Sequence, residues 1–171
     1  MITNFVSAAA TGLLLVAANC HAAGKVEFAR EATVDSTPAT VWKYVGDFNA
    51  VDLWHPSVRN CTTKGNGTAK GSVRTLTLSD GSVMIEKLLS YNAAKTTYTF
   101  AGVKGPFPIK NYQSTISLSP TADGKTLMKW SSSFDPAGVD EDIATEWVSV
   151  ALDGGLGKVV ANFEKKPAEK N

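Results

Sequence analysis

The sequence is poor in the residues that most catalytic and metal sites use, with two histidines and two cysteines among 171 residues. One of each lies close to the N terminus, which leaves His55 and Cys61 for the rest of the chain. A hydrolase triad needs a nucleophile paired with a histidine, and zinc sites need several ligands at characteristic spacings. Neither pattern occurs, nor does a glycine-rich loop that opens a helix, so we expect no metal and no cofactor.

An excess of charge of one sign is also missing, because 17 basic residues stand against 16 acidic ones. The two kinds are interleaved along the chain and leave no basic stripe of the sort that binds phosphate backbones. We therefore expect no nucleic-acid partner. The length suits one domain with a substantial core.

Charged side chains are absent from residues 1–23, where Leu13, Leu14, Leu15 and Val16 form an apolar run in an alanine-rich stretch. The run is too short to span a bilayer, and small residues follow it where an export peptidase would cut. No Lys or Arg precedes the run, and a buried N-terminal helix is the alternative interpretation. We predict a signal peptide over residues 1–23, and a periplasmic or secreted protein without a transmembrane segment.

The remaining pattern predicts an α+β fold in one domain, residues 24–164, followed by a polar tail at 165–171. After a first strand, Thr37 and Pro38 begin a short amphipathic helix. Six further strand-like stretches follow, separated by glycine, asparagine and aspartate turns. About seven antiparallel strands then pack on a long helix, Glu141–Phe163. The predicted strands are 25–34, 58–63, 72–78, 83–90, 96–100, 110–118 and 125–134, with a second short helical turn at 49–54.

The predicted C-terminal helix combines an apolar face with glycines in its middle. Ile143, Trp147, Val150 and Ala151 fall on one face, which we expect to pack against the sheet. Three glycines between residues 154 and 157 each cost about 1 kcal/mol of helix propensity relative to alanine. They predict a kink or a close approach of another part of the chain.

Two predicted strands show their inward faces by strict alternation. Large side chains share these faces with Ser114 and Ser132, which leave volume unfilled and place hydroxyls in the interior. Such a mixture is typical of a lined ligand cavity. The alternative is that backbone carbonyls satisfy the serines and neighbouring rings fill the gap. The inward sets are Tyr112, Ser114, Ile116 and Leu118, and Thr126, Met128, Trp130, Ser132 and Phe134.

The turn around Asp80 fixes which residues stand opposite each other. A two-residue loop would set Arg74 against Lys87, whereas a three-residue loop with Gly81 in the left-handed region sets it against Glu86. Opposed like charges are unfavourable, so we expect the second register. This register directs Arg74 and Glu86 into the interior. Burying a charged pair costs desolvation free energy, so such a pair indicates polar recognition. The alternative is an exposed pair on a solvated face of the sheet.

An ordered series of short motifs runs through most of the chain. It comprises Val41, Trp42, Val45 and Phe48, then Trp54, His55 and Pro56, then Gly71, Val73 and Arg74, then Glu86, Lys87 and Leu88, then Asn111, Tyr112 and Ser114, then Asp135 and Pro136, and last Gly155 and Leu156. Together they resemble the SRPBCC superfamily of helix-grip proteins, which includes START and Bet v 1-like proteins, polyketide cyclase-dehydratases and plant abscisic acid receptors. The resemblance implies a curved sheet wrapped around the C-terminal helix. With the predicted leader, it is nearest to bacterial members that include a small periplasmic protein associated with methanol oxidation.

The resemblance to the hormone receptors implies roles for individual residues. Arg59 falls where a cavity lysine meets a ligand carboxylate, and Glu86, Tyr112 and Ser114 fall on groups that reach the ligand through water. Residues 101–110 resemble a loop at the cavity mouth. A tryptophan replaces a receptor glutamate on the last strand, and the turn between the third and fourth strands is shorter than the receptors' gate, which argues against the same hormone.

The sequence therefore predicts a periplasmic protein that binds or carries a small hydrophobic or amphipathic molecule. Two alternatives remain open: a cofactor-free cyclase or dehydratase that uses Glu86, and an accessory protein to a periplasmic dehydrogenase of methanol oxidation. His55 is expected to pack or cap rather than to transfer protons. The predicted polar contacts are Arg59, Arg74, Glu86, Tyr112 and Ser114, and the predicted apolar wall is Trp54, Met84, Phe107, Trp130 and Trp147.

Overall fold

The computed structural model describes residues 25–164 of the chain. The predictions of a signal peptide at residues 1–23 and of a polar tail at residues 165–171 lie outside the described residues. Neither α-helix of the described stretch has the apolar length that a membrane span requires.

Seven antiparallel strands and two α-helices make up the domain. They are β1 (Val26–Val34), α1 (Pro38–Val45), β2 (Val58–Lys64), β3 (Val73–Leu78), β4 (Val83–Asn92), β5 (Thr97–Lys104), β6 (Ile109–Pro120), β7 (Thr126–Pro136) and α2 (Glu141–Phe163), with 3-10 turns at Val51–Leu53 and Ala93–Lys95. The strands form one curved sheet in the order β1-β7-β6-β5-β4-β3-β2, wrapped around α2. The predicted helix-grip fold is confirmed.

The first helix begins where its capping residues predict. The Thr37 hydroxyl oxygen accepts a hydrogen bond from the Thr40 backbone N–H at 3.4 Å, which satisfies one of the free donors of the first turn. Pro38 occupies the first turn, where its missing donor costs no hydrogen bond. Val41 and Val45 are fully buried, so α1 packs its apolar side into the core.

The β3–β4 hairpin has the predicted three-residue turn. Gly81 is left-handed, with φ of 87°, and its N–H donates to the Leu78 carbonyl at 3.0 Å. The register sets Arg74 opposite Glu86, as charge repulsion in the alternative register predicts. Both side chains point into the interior of the domain.

The buried face of α2 differs from the predicted one. Ile143, Trp147 and Val150 are 48 %, 53 % and 62 % exposed, so the prediction that they pack against the sheet is wrong. Apolar residues occur on both faces of α2, and their spacing alone does not decide which face is buried. The buried residues are Ala144, Val148, Ser149, Leu152, Gly155, Leu156 and Val159.

Gly155 accounts for the face that α2 turns to the sheet. A Cβ atom at this position would lie 2.6 Å from Trp130 Cζ3 and 2.9 Å from His55 Cδ2, closer than packed atoms approach. The helix therefore meets β7 and the segment before β2 at a residue without a side chain. The predicted close approach at the glycines is confirmed.

Candidate functional site

A cavity of about 470 Å³ lies between the concave face of the sheet and α2. Sites for small molecules commonly measure roughly 300–1,000 Å³. Several of its lining residues were not predicted from the sequence, although the alternation of Arg74, Leu76 and Leu78 along β3 points two of them to this face. The missed residues include Leu76, Leu78, Ile109, Val148 and Leu152, and the predicted contact residues that line it are Arg74, Met84, Glu86, Phe107, Tyr112, Trp130 and Trp147.

The mouth of the cavity lies between two loops and the first turns of α2. The β3–β4 turn supplies Ser79 and Asp80, and α2 supplies Glu146 and Trp147. The Phe107 ring also lines the cavity and lies 6.0 Å from the Trp147 ring, centre to centre. The loop that carries Phe107 is shorter than the predicted 101–110, because β5 continues to Lys104 and β6 begins at Ile109.

Arg74 and Glu86 supply the charged part of the cavity wall. Arg74 Nε donates to Glu86 Oε2 at 2.6 Å, and the two side chains are 2 % and 4 % exposed. A second donor of Arg74, Nη1, reaches the Phe48 carbonyl at 2.8 Å, and the guanidinium carbon lies 4.1 Å from the centre of the Phe48 ring. Burial alone would lower the pKa of Arg74, but the Glu86 carboxylate raises it above its ordinary value. Arg74 is therefore held charged and fixed in position.

Tyr112 brings a polar group on an apolar ring to the same wall. Its side chain is 9 % exposed and lines the cavity. Burial, reinforced by the nearby Glu86 carboxylate, raises the pKa of Tyr112 to about 12, against the opposite effect of the Ser114 and Ser132 hydroxyls. The phenol stays protonated at neutral pH and is able to donate a hydrogen bond to a ligand.

Ser114 lies in the core, and its oxygen is fully occupied. Its hydroxyl donates to the Ser131 carbonyl at 2.9 Å and accepts from Trp130 Nε1 at 2.7 Å and from Ser132 Oγ at 2.8 Å. A hydroxyl has one donor and two acceptor sites, so none is left for a ligand. Ser114 does not line the cavity, which corrects its predicted place there. It instead orients Trp130, whose ring does form part of the wall.

Trp54 and Arg59 do not line the cavity either. Trp54 is 1 % exposed, and its ring centre lies 5.7 Å from that of Trp130, so it packs behind the wall. Arg59 follows the buried Val58, which lines the cavity, so the alternation of β2 points its side chain outward, where it is exposed. There its guanidinium donates to the Ser79 carbonyl at 2.6 Å. These positions correct the predicted place of both residues on the cavity wall.

His55 lines the cavity and ties the segment before β2 to α2. Its Nδ1 accepts from the Ser57 N–H at 3.2 Å, so Nε2 carries the proton and donates to the Ala151 carbonyl at 3.0 Å. Burial lowers the pKa of His55 to about 4, against the raising effect of the Ala151 hydrogen bond. The ring is neutral at pH 7 and has both nitrogens occupied, which agrees with a packing role.

The described residues offer few other reactive groups. Burial raises the pKa of the Cys61 thiol to about 11, so its nucleophilic thiolate is scarce at neutral pH. Between residues 25 and 164, no three His, Cys, Asp or Glu side chains are grouped as metal ligands would be. The chemistry of the site therefore resides in the Arg74–Glu86 pair and Tyr112.

A protein-family model described as polyketide cyclase / dehydrase and lipid transport matches residues 25–164. The chain belongs to this family. Its SRPBCC, helix-grip character, predicted from the motifs, is thereby confirmed. Among curated proteins, none matches the sequence.

Solved structures share the fold over nearly their whole length. The protein XoxI from Bacillus cereus has a TM-score of 0.75 and 28 % identity, over 80 % of this chain and 94 % of that one. An uncharacterised protein from Bacillus thuringiensis has a TM-score of 0.75 and 28 % identity, over 81 % of this chain and 98 % of that one. Ara h 8.0201 has a TM-score of 0.66 over 81 % of this chain and 97 % of that one, and at 21 % identity it supports the fold alone.

Proposed function

We propose that this protein binds and carries a small hydrophobic or amphipathic molecule between the sheet and α2. The observation that carries the proposal is a volume of about 470 Å³ that the protein's own side chains leave unfilled. Protein interiors are close-packed, and few voids exceed the size of a water molecule. A cavity this large, with apolar walls around one ion pair and one phenol, fits a bound ligand.

The surface at the mouth supports an apolar ligand. Trp147 and Val150 line the cavity and are more than half exposed. Removing apolar surface from water contributes a favourable free energy of about 25 cal/mol per Å². A ligand that enters past Phe107 and contacts these side chains removes apolar surface from water on both partners.

A second candidate function is that of a cofactor-free cyclase or dehydratase, because Glu86 and Tyr112 line the same cavity. A carboxylate there would accept a proton from the substrate, and the phenol would donate one. The hydrogen bond from Arg74 to Glu86 Oε2 favours the carrier, since it fixes the carboxylate in an ion pair. In Glu86→Gln, lost turnover with unchanged affinity would support the enzyme, and lost affinity without turnover in the wild type would support the carrier.

Export to the periplasm and an accessory role beside a dehydrogenase of methanol oxidation remain proposals. Residues 1–23 support the first, and the exposed Ile143, Trp147 and Val150 offer a surface for the second. Pulldown from a periplasmic extract, followed by native mass spectrometry, separates the roles. A co-purifying small molecule supports the carrier, whereas a stoichiometric protein partner supports the accessory role.

Titration with the neutral apolar dye N-phenyl-1-naphthylamine tests the carrier proposal. Dye fluorescence should rise and saturate with the wild type. The variant Ala151→Phe adds a ring to the cavity wall and should weaken binding by about tenfold or more. Ala161→Phe, at an exposed position on the same helix, is the matched control and should bind as the wild type does. Absence of saturable binding, or equal loss in both variants, would contradict the proposal.

A further inference from the structure

The sheet is split between β5 and β6 beside the cavity mouth. Their last paired residues are Ala101 and Gln113. Beyond this pair, β5 continues to Lys104 bonded only to β4, and β6 from Ile109 is bonded to β7. Over this stretch the facing edges of the two strands carry no ladder of hydrogen bonds, so their backbone polar groups line a gap.

Two irregularities hold the strands apart. A register shift in the β4–β5 pairing leaves Val103 as an extra residue, and another occurs in β6 between Lys110 and Gln113. Asn111 within the second bulge is left-handed, with φ of 53°, and its Nδ2 donates to Asp135 Oδ2 at 2.7 Å. Bulges bend strands, and a non-glycine residue keeps such a conformation only where its surroundings hold it. The split is therefore built into the sequence.

A second cavity, of about 340 Å³, occupies this split. It shares Met84, Phe107, Ile109 and Tyr112 with the main cavity, so these side chains form the partition between the two. The Tyr112 ring lies against Gly102, where a Cβ atom would stand 3.2 Å from its Cδ1. The partition thus consists of apolar side chains and one phenol, with no β5–β6 pairing beyond Ala101 and Gln113.

The outer rim of the split is basic and polar. Lys104 and Lys110 line it together with Asn111 and Gln113. Within residues 25–164, the ion pairs involve neither lysine. Asp135 stands opposite Lys110 in the sheet and offsets part of its charge, while its oxygens accept hydrogen bonds from Asn111 and the Lys25 N–H. Asp135 does not stand opposite Lys104, which pairs with Ile85.

The mouth of the main cavity has the opposite charge. Asp80 and Glu146 line it, and hydrogen bonds from Ser82 hold the pKa of Asp80 below its usual value, so that it is ionised at neutral pH. Arg59 lies near Asp80 and offsets part of this charge. An anionic group is accordingly repelled at the mouth and attracted at the split.

We propose that the split binds the carboxylate of an amphipathic acid whose apolar part occupies the main cavity. This rests on the proposed carrier function and narrows its ligand class to monoanionic apolar acids. The carboxylate lies at the rim, where Lys104, Lys110 and unpaired backbone N–H groups are available to it. The chain passes Tyr112 and Met84 into the apolar space beyond.

Displacement of N-phenyl-1-naphthylamine by decanoate and by decan-1-ol, a matched pair with and without the charge, tests this assignment. The variant Lys104→Gln/Lys110→Gln removes two exposed cations. It should lower the affinity for decanoate by about tenfold and change the affinity for decan-1-ol by no more than about twofold. Added salt screens the lysine charges, so it should also reduce the preference of the wild type for decanoate over decan-1-ol. The variant's circular dichroism should match the wild type, because both lysines are exposed.

The control Lys64→Gln/Lys95→Gln removes the same charge from exposed positions away from the split and should change neither affinity. Suppose that both competitors bind the wild type. If Lys104→Gln/Lys110→Gln then leaves the affinity for decanoate unchanged, or if the control variant lowers that affinity equally, the assignment of the carboxylate to the split is overturned and the carrier function stands. If the dye and both competitors fail to bind the wild type, both are overturned.

Discussion

Arg74 and Glu86 form an ion pair of 2.6 Å in the interior, opposite each other on β3 and β4. Removing one partner leaves an unpaired buried charge. Arg74→Met should therefore lower the free energy of unfolding by about 3–5 kcal/mol. The double variant Arg74→Met/Glu86→Leu should recover most of that loss, because apolar residues of similar volume avoid the desolvation cost. Urea unfolding measures both.

An exposed pair provides the control for this comparison. Lys129 and Glu31 are 3.2 Å apart, with half-exposed side chains. Lys129→Met should lower the free energy of unfolding by less than about 1 kcal/mol. If Arg74→Met and Arg74→Met/Glu86→Leu lowered the free energy of unfolding equally, the shape of Arg74, and not its charge pairing, would be what stabilises the fold.

Two glycines of α2 should respond in opposite directions to alanine. A Cβ at Gly155 would lie 2.6 Å from Trp130 Cζ3, whereas one at Gly157 meets nothing within 4 Å. Gly155→Ala should destabilise by about 1–3 kcal/mol through overpacking. Gly157→Ala should stabilise by about 0.5–1 kcal/mol through helix propensity. Thermal unfolding would contradict this account if both substitutions shifted the midpoint the same way.

The sequence predicts the strands, the β3–β4 register and the inward faces well, because alternation and turn chemistry are local. Arg59 shows the limit of the resemblance, which implied a place on the cavity wall, whereas the alternation from the buried Val58 points Arg59 to solvent. Trp147 shows a second failure. It belongs to an apolar set on α2, but the face that packs is decided by the contact of Gly155 with Trp130, which is distant in sequence.

His55 should make stability depend on pH in the mildly acidic range. Its pKa is about 4 in the folded protein, below the ordinary 6.5. The unfolded state therefore binds more protons between these values, and stability should fall as pH decreases from about 6.5 to about 4, by about 3 kcal/mol in total. His55→Gln should flatten this part of the profile. An unchanged slope in the variant would assign the pH dependence to other groups.

Ser114 should act on stability and not directly on binding. Its hydroxyl is the partner of Trp130 Nε1 at 2.7 Å, and Ser114→Ala leaves that buried donor unsatisfied. The expected loss is about 1–3 kcal/mol of unfolding free energy. Affinity for decan-1-ol should stay within about threefold of the wild type, since Ser114 does not line the cavity. A large loss of affinity without loss of stability would restore Ser114 as a ligand contact.

Nitrogen-15 NMR during titration with N-phenyl-1-naphthylamine tests the central claim most directly, because each backbone amide reports separately on nearby binding. We expect shift changes at cavity-lining residues of β3, β6 and α2, such as Leu76, Tyr112 and Leu152, with little change at Thr99 or Ser131. Shifts confined to the exposed stripe of Ile143 and Val150, or no shifts at saturating dye, would contradict the claim that this volume holds a ligand.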